Sequence, residues 1–231
     1  MDTIPVNSRE YIYRCLKEEI VGFKLKPGQS IGENMLCERF GVSRTPIRSV
    51  LQRLSNEALV SVIPYKGSYV SLLNYDDICQ MIYMRIAVES DVICDFMKQC
   101  TPLLEEKIKY VIRKQIVLTQ EEHFEIDRFY ELDSQLHEIW FKVTHREKLW
   151  QLIQKSQVDY TRFRMLDITT GQNFSRIIGE HEALFQLIHE KNAQEVKPLI
   201  QTHLNAPIER LGSRIHTEFR SYFQQESKAN L

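Results

Sequence analysis

The residues best able to do chemistry in this 231-residue chain are histidines, and all seven lie after residue 122. Asp133 and His137 stand as Asp-x-x-x-His in FYELDSQLHEIW, a spacing that puts both on one face of a helix. His181, in GEHEALF, and His203, in THLN, fall on two later helical segments. A carboxylate and three imidazoles drawn from three helices of a bundle can form a divalent-metal cage. One oxygen and three nitrogens would leave positions on a five- or six-coordinate ion open to water or a ligand carboxylate. The competing reading is ordinary, because Asp-x-x-x-His arises readily by chance and a helical histidine can simply be half-buried. Spacing alone leaves both open. His123, His145, His189 and His216 are read as ordinary histidines.

A second group of residues lies near the other end of the chain. Arg44, Thr45 and Arg48 follow Ser43 at the start of an amphipathic segment whose apolar positions, Ile47, Val50, Leu51 and Leu54, obey the i, i+3, i+4, i+7 rule. That stripe must face inward, so the two arginines and the threonine face out. Arginine can donate two hydrogen bonds to guanine O6 and N7, and threonine can bond a base edge or touch a thymine methyl. Ser43 stands where an N-cap belongs, and Pro46 falls in the first turn, where a missing N–H is tolerated.

Charge and composition agree with this division of labour. The net charge is −1, yet residues 1–75 hold ten Lys/Arg against seven Asp/Glu, a surplus of three positive charges. The remainder is correspondingly acidic, so an anionic partner is expected at the first third. No stretch approaches the roughly 18 uninterrupted apolar residues of a membrane span, and no secretory pattern opens the chain. Five cysteines without a C-x-x-C pair favour reduced thiols over a disulfide frame. A cytoplasmic protein with no membrane partner is expected.

Punctuation residues place the elements. Five of eight glycines and four of seven prolines precede residue 71. Helices are expected over 8–22, about 33–40, and from Ser43 to Asn56, with Gly41 as a C-cap and a turn at Lys26-Pro27-Gly28. Strands over 59–63 and 68–72 flank Pro64-Tyr65-Lys66-Gly67, which makes a hairpin. Three helices and a hairpin outline a winged helix-turn-helix. Its third helix would enter the major groove, while Tyr65, Lys66 and Gly67 at the hairpin tip would reach phosphate or the minor groove. Six or seven helices are expected afterwards, near 76–99, 102–117, 120–144, 146–168, 173–191 and 193–222, with an N-cap at Thr101 and a capping box at Thr119–Glu122. The chain is thus read as mainly α: a winged helix-turn-helix over 1–74 and an all-helical bundle over 75–231.

The stretch GVSRTPIRSVLQRLSNEALV, with LKPGQSIGENMLCERF before it and IPYKGSYV after it, resembles the GntR family of bacterial transcription regulators. By that resemblance Arg44, Thr45 and Arg48 read bases or anchor phosphates. Glu33-Asn34 stands where the family often has an acidic residue followed by Arg or a small residue, and Ala58 replaces the glycine usual before Leu59-Val60. Residues 76–225 look like the FCD ligand-sensing domain of the FadR subfamily. Tyr83-Met-Arg85 with Glu89, Asp133-x-x-x-His137, Glu180-His181 and His203-Leu204 carry the likeness. His145 stands near a position where Asn is common.

The resemblance implies a metal held by Asp133, His137, His181 and His203, of the zinc, nickel or manganese class. It also implies that Arg85 fixes the carboxylate of a small organic-acid or sugar-acid effector; an ion pair with Glu89 is the competing role. Arg162, Arg164 and Asn205 are further pocket candidates. The expected function is a ligand-responsive repressor that binds a palindromic duplex as a homodimer. A metal-dependent enzyme built on the Asp/His cluster, or a regulator whose C-terminal domain only dimerises, are the alternatives.

Overall fold

Ser8 caps the first helix by accepting from the Tyr11 N–H at 3.1 Å, and α1 runs Arg9–Val21 with Ile12, Tyr13, Leu16 and Ile20 buried. The structure, a computed structural model, describes residues 8–225. Gly32 opens α2 (Glu33–Phe40), and Gly41, at φ 63°, closes it in the left-handed region open to glycine. Ser43 precedes α3 (Arg44–Asn56) in extended backbone, without a side-chain cap bond. The α3 stripe Ile47, Val50, Leu51 and Leu54 is buried as its spacing requires, and α3 packs on α1, α2 and β1.

Strands β1 (Val60–Ile63) and β2 (Gly67–Val70) pair antiparallel, with Val60 opposite Val70 and Ile63 opposite Gly67. A third edge escapes sequence reading. Ser30 bridges Tyr69, and the flanking backbone bonds run from Gly28 to Val70 and from Ile31 to Ser68. One bridge is too short to leave an alternating pattern.

The chain separates into two compact units. One gathers the described parts of Met1–Tyr75, Thr161–Met165 and Ser213–Leu231; the other holds Asp76–Tyr160 and Leu166–Gly212. In the first, the segment after Gly212 lies beside the strand that leaves the wing. Leu73 donates to the Tyr222 carbonyl at 2.8 Å and accepts from Gln224 at 2.9 Å. Phe223 meets the rings of Tyr75 and Phe163, and Arg162 donates to the Ser71 carbonyl at 2.6 Å.

The second unit is built from α4 (Tyr75–Gln99), α5 (Pro102–Thr119), α6 (Ile126–Val143), α7 (Glu147–Ser156), α8 (Val158–Gly171), α9 (Phe174–Glu190) and α10 (Val196–Leu211), with α8 passing through both units. Here α5 packs on α6 and α9, α9 on α10, and α6 on α7. Thr101 caps α5 through the Leu104 N–H, with Pro102 at its first position.

Three expectations fail here. Thr119 does not cap a helix: it ends α5 and donates to the Ile116 carbonyl, while α6 starts only after Glu125. The 146–168 stretch is two helices that meet at buried Gln157. The 193–222 stretch ends as an α-helix at Gly212, whose φ 48° and ψ −131° no helix accommodates.

Ala58 closes α3 in a Schellman arrangement. Leu59 N–H reaches the Leu54 carbonyl at 2.9 Å and Ala58 N–H the Ser55 carbonyl at 3.0 Å, with Ala58 itself at φ 57°. An L side chain in that region costs about 1 kcal/mol. Ala58→Gly is therefore expected to stabilise the protein by about 1 kcal/mol, read as a higher urea midpoint at unchanged slope.

Candidate metal centre and nucleic-acid interface

Helix periodicity brings the predicted cluster together. On α6, Asp133 and His137 are one turn apart; α9 supplies His181 and α10 supplies His203. All four are buried, and one ligand atom from each lies within 4.8 Å of the others. His181 Nε2 stands 3.3 Å from Asp133 Oδ1, and the His137 and His203 rings lie 5.4 Å apart between centroids.

What orients the rings is a surrounding set of acceptors. His137 Nδ1 donates to Glu89 at 2.6 Å, His181 Nδ1 to Gln115 at 2.9 Å, and His203 Nδ1 to Glu180 at 2.8 Å. A carboxylate or amide oxygen can only accept, so each Nδ1 carries a proton and each Nε2 is turned toward the cluster. The Nε2 atoms of His137 and His203 are buried and have no hydrogen-bond partner among the described residues. Burial pushes the His203 imidazole down to about 4, outweighing the Glu180 hydrogen bond, so this ring is neutral at pH 7. Three imidazoles turned inward beside a carboxylate, each held from behind by an acceptor, match the donor set and outer partners of a metal site.

The outer partners form a charged network of their own. Burial alone would raise the Glu89 carboxyl, but Arg85 and His137 overcome it and hold it down at about 2. Arg85 and Glu89 are ion-paired one turn apart on α4, both in the interior. The Arg85 guanidinium also lies 5.1 Å from the Tyr160 ring centroid. The pair with Glu89 is thus formed, and through Glu89 it reaches a histidine of the cluster. Burial likewise raises Glu180, and the His203 hydrogen bond overrides it to leave the carboxyl below its usual range.

The other pocket candidates are placed differently. Asn205 is half-buried and donates to the Gln201 carbonyl; two residues along a helix turn it about 200° from His203. Arg164 is buried on α8, and Arg162 serves Ser71 as described. His189, read as ordinary, is exposed and pairs with Glu105. Gln115 was missed by sequence reading. Its signal was a polar residue within the buried α5 series Ile108, Val111, Ile112, Gln115, Leu118.

On the first unit, Ser43, Arg44, Thr45 and Arg48 are all exposed at the start of α3. Glu33 accepts from Arg48 Nε at 2.9 and 3.0 Å, and Asn34 accepts from Arg44 Nη2 at 3.0 Å. Tyr65 sits fully exposed at the hairpin tip with φ 61°, followed by exposed Lys66 and Gly67.

A winged helix-turn-helix with arginines on the open face of its third helix, carried in one chain with an all-helical domain, defines a DNA-binding transcription regulator. The comparisons agree. The model "Bacterial regulatory proteins, gntR family" matches residues 8–70, and that of the FCD domain matches residues 80–206. The chain belongs to the GntR family of bacterial regulators and carries an FCD domain. The HTH-type transcriptional repressor RspR of Escherichia coli strain K12 is 25% identical over 228 residues, spanning 97% of this chain and 96% of that protein. The galactonate operon transcriptional repressor of the same strain is 24% identical over 227 residues, spanning 89% and 97%. The solved structure of E. coli McbR/YncC shares the fold with a TM-score of 0.67 at 16% identity, covering 92% of this chain and 99% of that one. Among the described residues no helix is long and apolar enough to cross a membrane.

Replacing Glu89 with Leu would leave Arg85 and His137 buried without their shared carboxylate. Breaking such a pair from one side costs about 3–5 kcal/mol. Urea unfolding of Glu89→Leu in the presence of a chelator is expected to show a loss of that size.

Proposed function

We propose that the chain is a ligand-responsive repressor: a homodimer that binds a palindromic operator and is released by a small organic or sugar acid. Reading falls to 1–74 and sensing to 75–231. The observation that carries the proposal is the paired provision in one chain of exposed α3 arginines and a buried Asp/His cluster with each ring oriented from behind. Two copies of α3 related by a two-fold axis would enter adjacent half-sites. Arg44, Thr45 and Arg48 address bases, Ser43 backs them at the helix start, and Tyr65, Lys66 and Gly67 meet the sugar-phosphate backbone or minor groove.

Asp133, His137, His181 and His203 would hold a divalent ion of the zinc, nickel or manganese class. When bound, such an ion offers Lewis acidity to a carboxylate oxygen. Arg85 supplies the guanidinium that would face an effector carboxylate, with Arg164 and Asn205 as secondary contacts. The name of one relative, a galactonate operon repressor, points to sugar-acid regulation in that protein and supports the same chemical class here. The site acts in the cytoplasm, where duplex and metabolite meet. Effector binding shifts operator affinity only by its differential affinity for two states of the dimer, typically ~1–3 kcal/mol.

Two measurements test this. Arg44→Ala or Arg48→Ala is expected to weaken binding to a selected duplex by ~1–3 kcal/mol while affecting scrambled duplex less; equal losses on both would reduce the residue to a phosphate anchor. Elemental analysis is expected to find about one divalent ion per chain. His181→Ala should lose that ion and the effector response yet keep operator affinity, and intact induction in this variant would remove the ion from the mechanism.

A further inference from the structure

Arg44 and Arg48, exposed at the start of α3, are not held in the same way. Arg48 meets a carboxylate, Glu33, through its Nε edge, whereas Arg44 meets the neutral amide of Asn34 through a terminal nitrogen. Both acceptors are the opening residues of α2, where the helix dipole favours a carboxylate. Glu33 makes no cap bond there, and Gly32 has no side chain to make one, so the carboxylate is spent on Arg48. The pair sits at the surface, with 64% of the Arg48 side chain and 32% of the Glu33 side chain exposed.

We propose that Glu33 is a specificity-determining residue: it aims the Arg48 guanidinium as a fork while cancelling the charge that would draw it to phosphate. The inference rests on Arg48 reading DNA. With Nε occupied, the donors on Nη1 and Nη2 remain, in the parallel arrangement that fits guanine O6 and N7. Attraction to phosphate is a matter of net charge and acts on every sequence alike, whereas recognition of a base edge is a matter of donor direction. A carboxylate beside the guanidinium therefore subtracts from the first and adds to the second. Its own repulsion of the backbone works the same way, penalising any pose in which Arg48 leaves the base to follow the phosphates. Asn34 orients Arg44 without removing its charge, so Arg44 keeps the phosphate attraction that Arg48 gives up.

The test uses the full-length protein, duplexes enriched by it from a random pool, and scrambled duplexes of equal composition, titrated over a range of salt. Glu33→Gln is expected to raise affinity for scrambled duplex about tenfold while changing that for selected duplex no more than about twofold. The slope of log affinity on log salt should steepen by about 1, the count of one added phosphate contact. Glu33→Asp keeps the charge but shortens the reach, so it should lose discrimination with the salt slope unchanged. On an Arg48→Ala background, Glu33→Gln should leave the ratio of selected to scrambled affinity where Arg48→Ala put it. An equal gain on both duplexes, or a ratio change that persists without Arg48, overturns the proposal. A wild-type protein that prefers no duplex would instead strike the reading of Arg48 itself, a result recognisable before any variant is made. Melting curves of the variants confirm that each is folded.

Discussion

A carboxylate with no contact to water, Glu89, is the constraint on which the helical domain turns. Taking an ionised group out of water costs several kcal/mol unless partners replace its hydration. Arg85 on the same helix and His137 on α6 do so, and the result is a carboxyl held near 2 inside the protein. The bond to His137 fixes the tautomer and direction of a ring that belongs to the Asp/His cluster. Gln115 and Glu180 repeat the device for His181 and His203 from α5 and α9. Five helices, α4, α5, α6, α9 and α10, are thereby tied to one register. A one-residue rotation of any of them would leave a buried polar atom without its partner, which costs about 1–3 kcal/mol or more.

The same logic at lower stakes shapes the reading head. There the charges are exposed, solvent screens them, and the pairs contribute little to stability. What α2 supplies is direction. Glu33 and Asn34 sit side by side at its start, and α3 presents Arg44 and Arg48 one turn apart to meet them. Burial of Leu36 and Phe40 on α2 and of Ile47, Val50, Leu51 and Leu54 on α3 fixes the two helices together, so the polar residues on the outside inherit their placement from the apolar ones on the inside.

Much of this was legible in the residues, and the failures have physical causes. The helix bounds of α2 and α3 follow from Gly41, Ser43 and a clean apolar period. Spacing on one helix paired Asp133 with His137, while the resemblance to FCD domains added His181 and His203 to the set. The break at Gln157 was hard to see, since no glycine or proline marks it, Ser156 lies in the last turn of α7 and not at the N-cap of α8, and the apolar pattern runs on. Thr119–Glu122 misled because a hydroxyl and a carboxylate three apart can end one helix as readily as start another. Ala58 and His145 are instructive together. Both stand out against the family's usual residues, and both prove to sit at left-handed backbone positions, φ 57° in each case, where glycine or asparagine meets less steric resistance.

The segment that follows Gly212 has a consequence for biogenesis. Its Phe219 and Phe223 are buried, and Phe223 meets Tyr75 and Phe163, in a unit whose remaining residues come mostly from the chain's beginning. A ribosome releases the N-terminal helices long before it reaches these phenylalanines. The head that contacts DNA therefore acquires its last wall only after helices α4–α10 have been made, so a product truncated before Gly212 leaves that apolar surface uncovered.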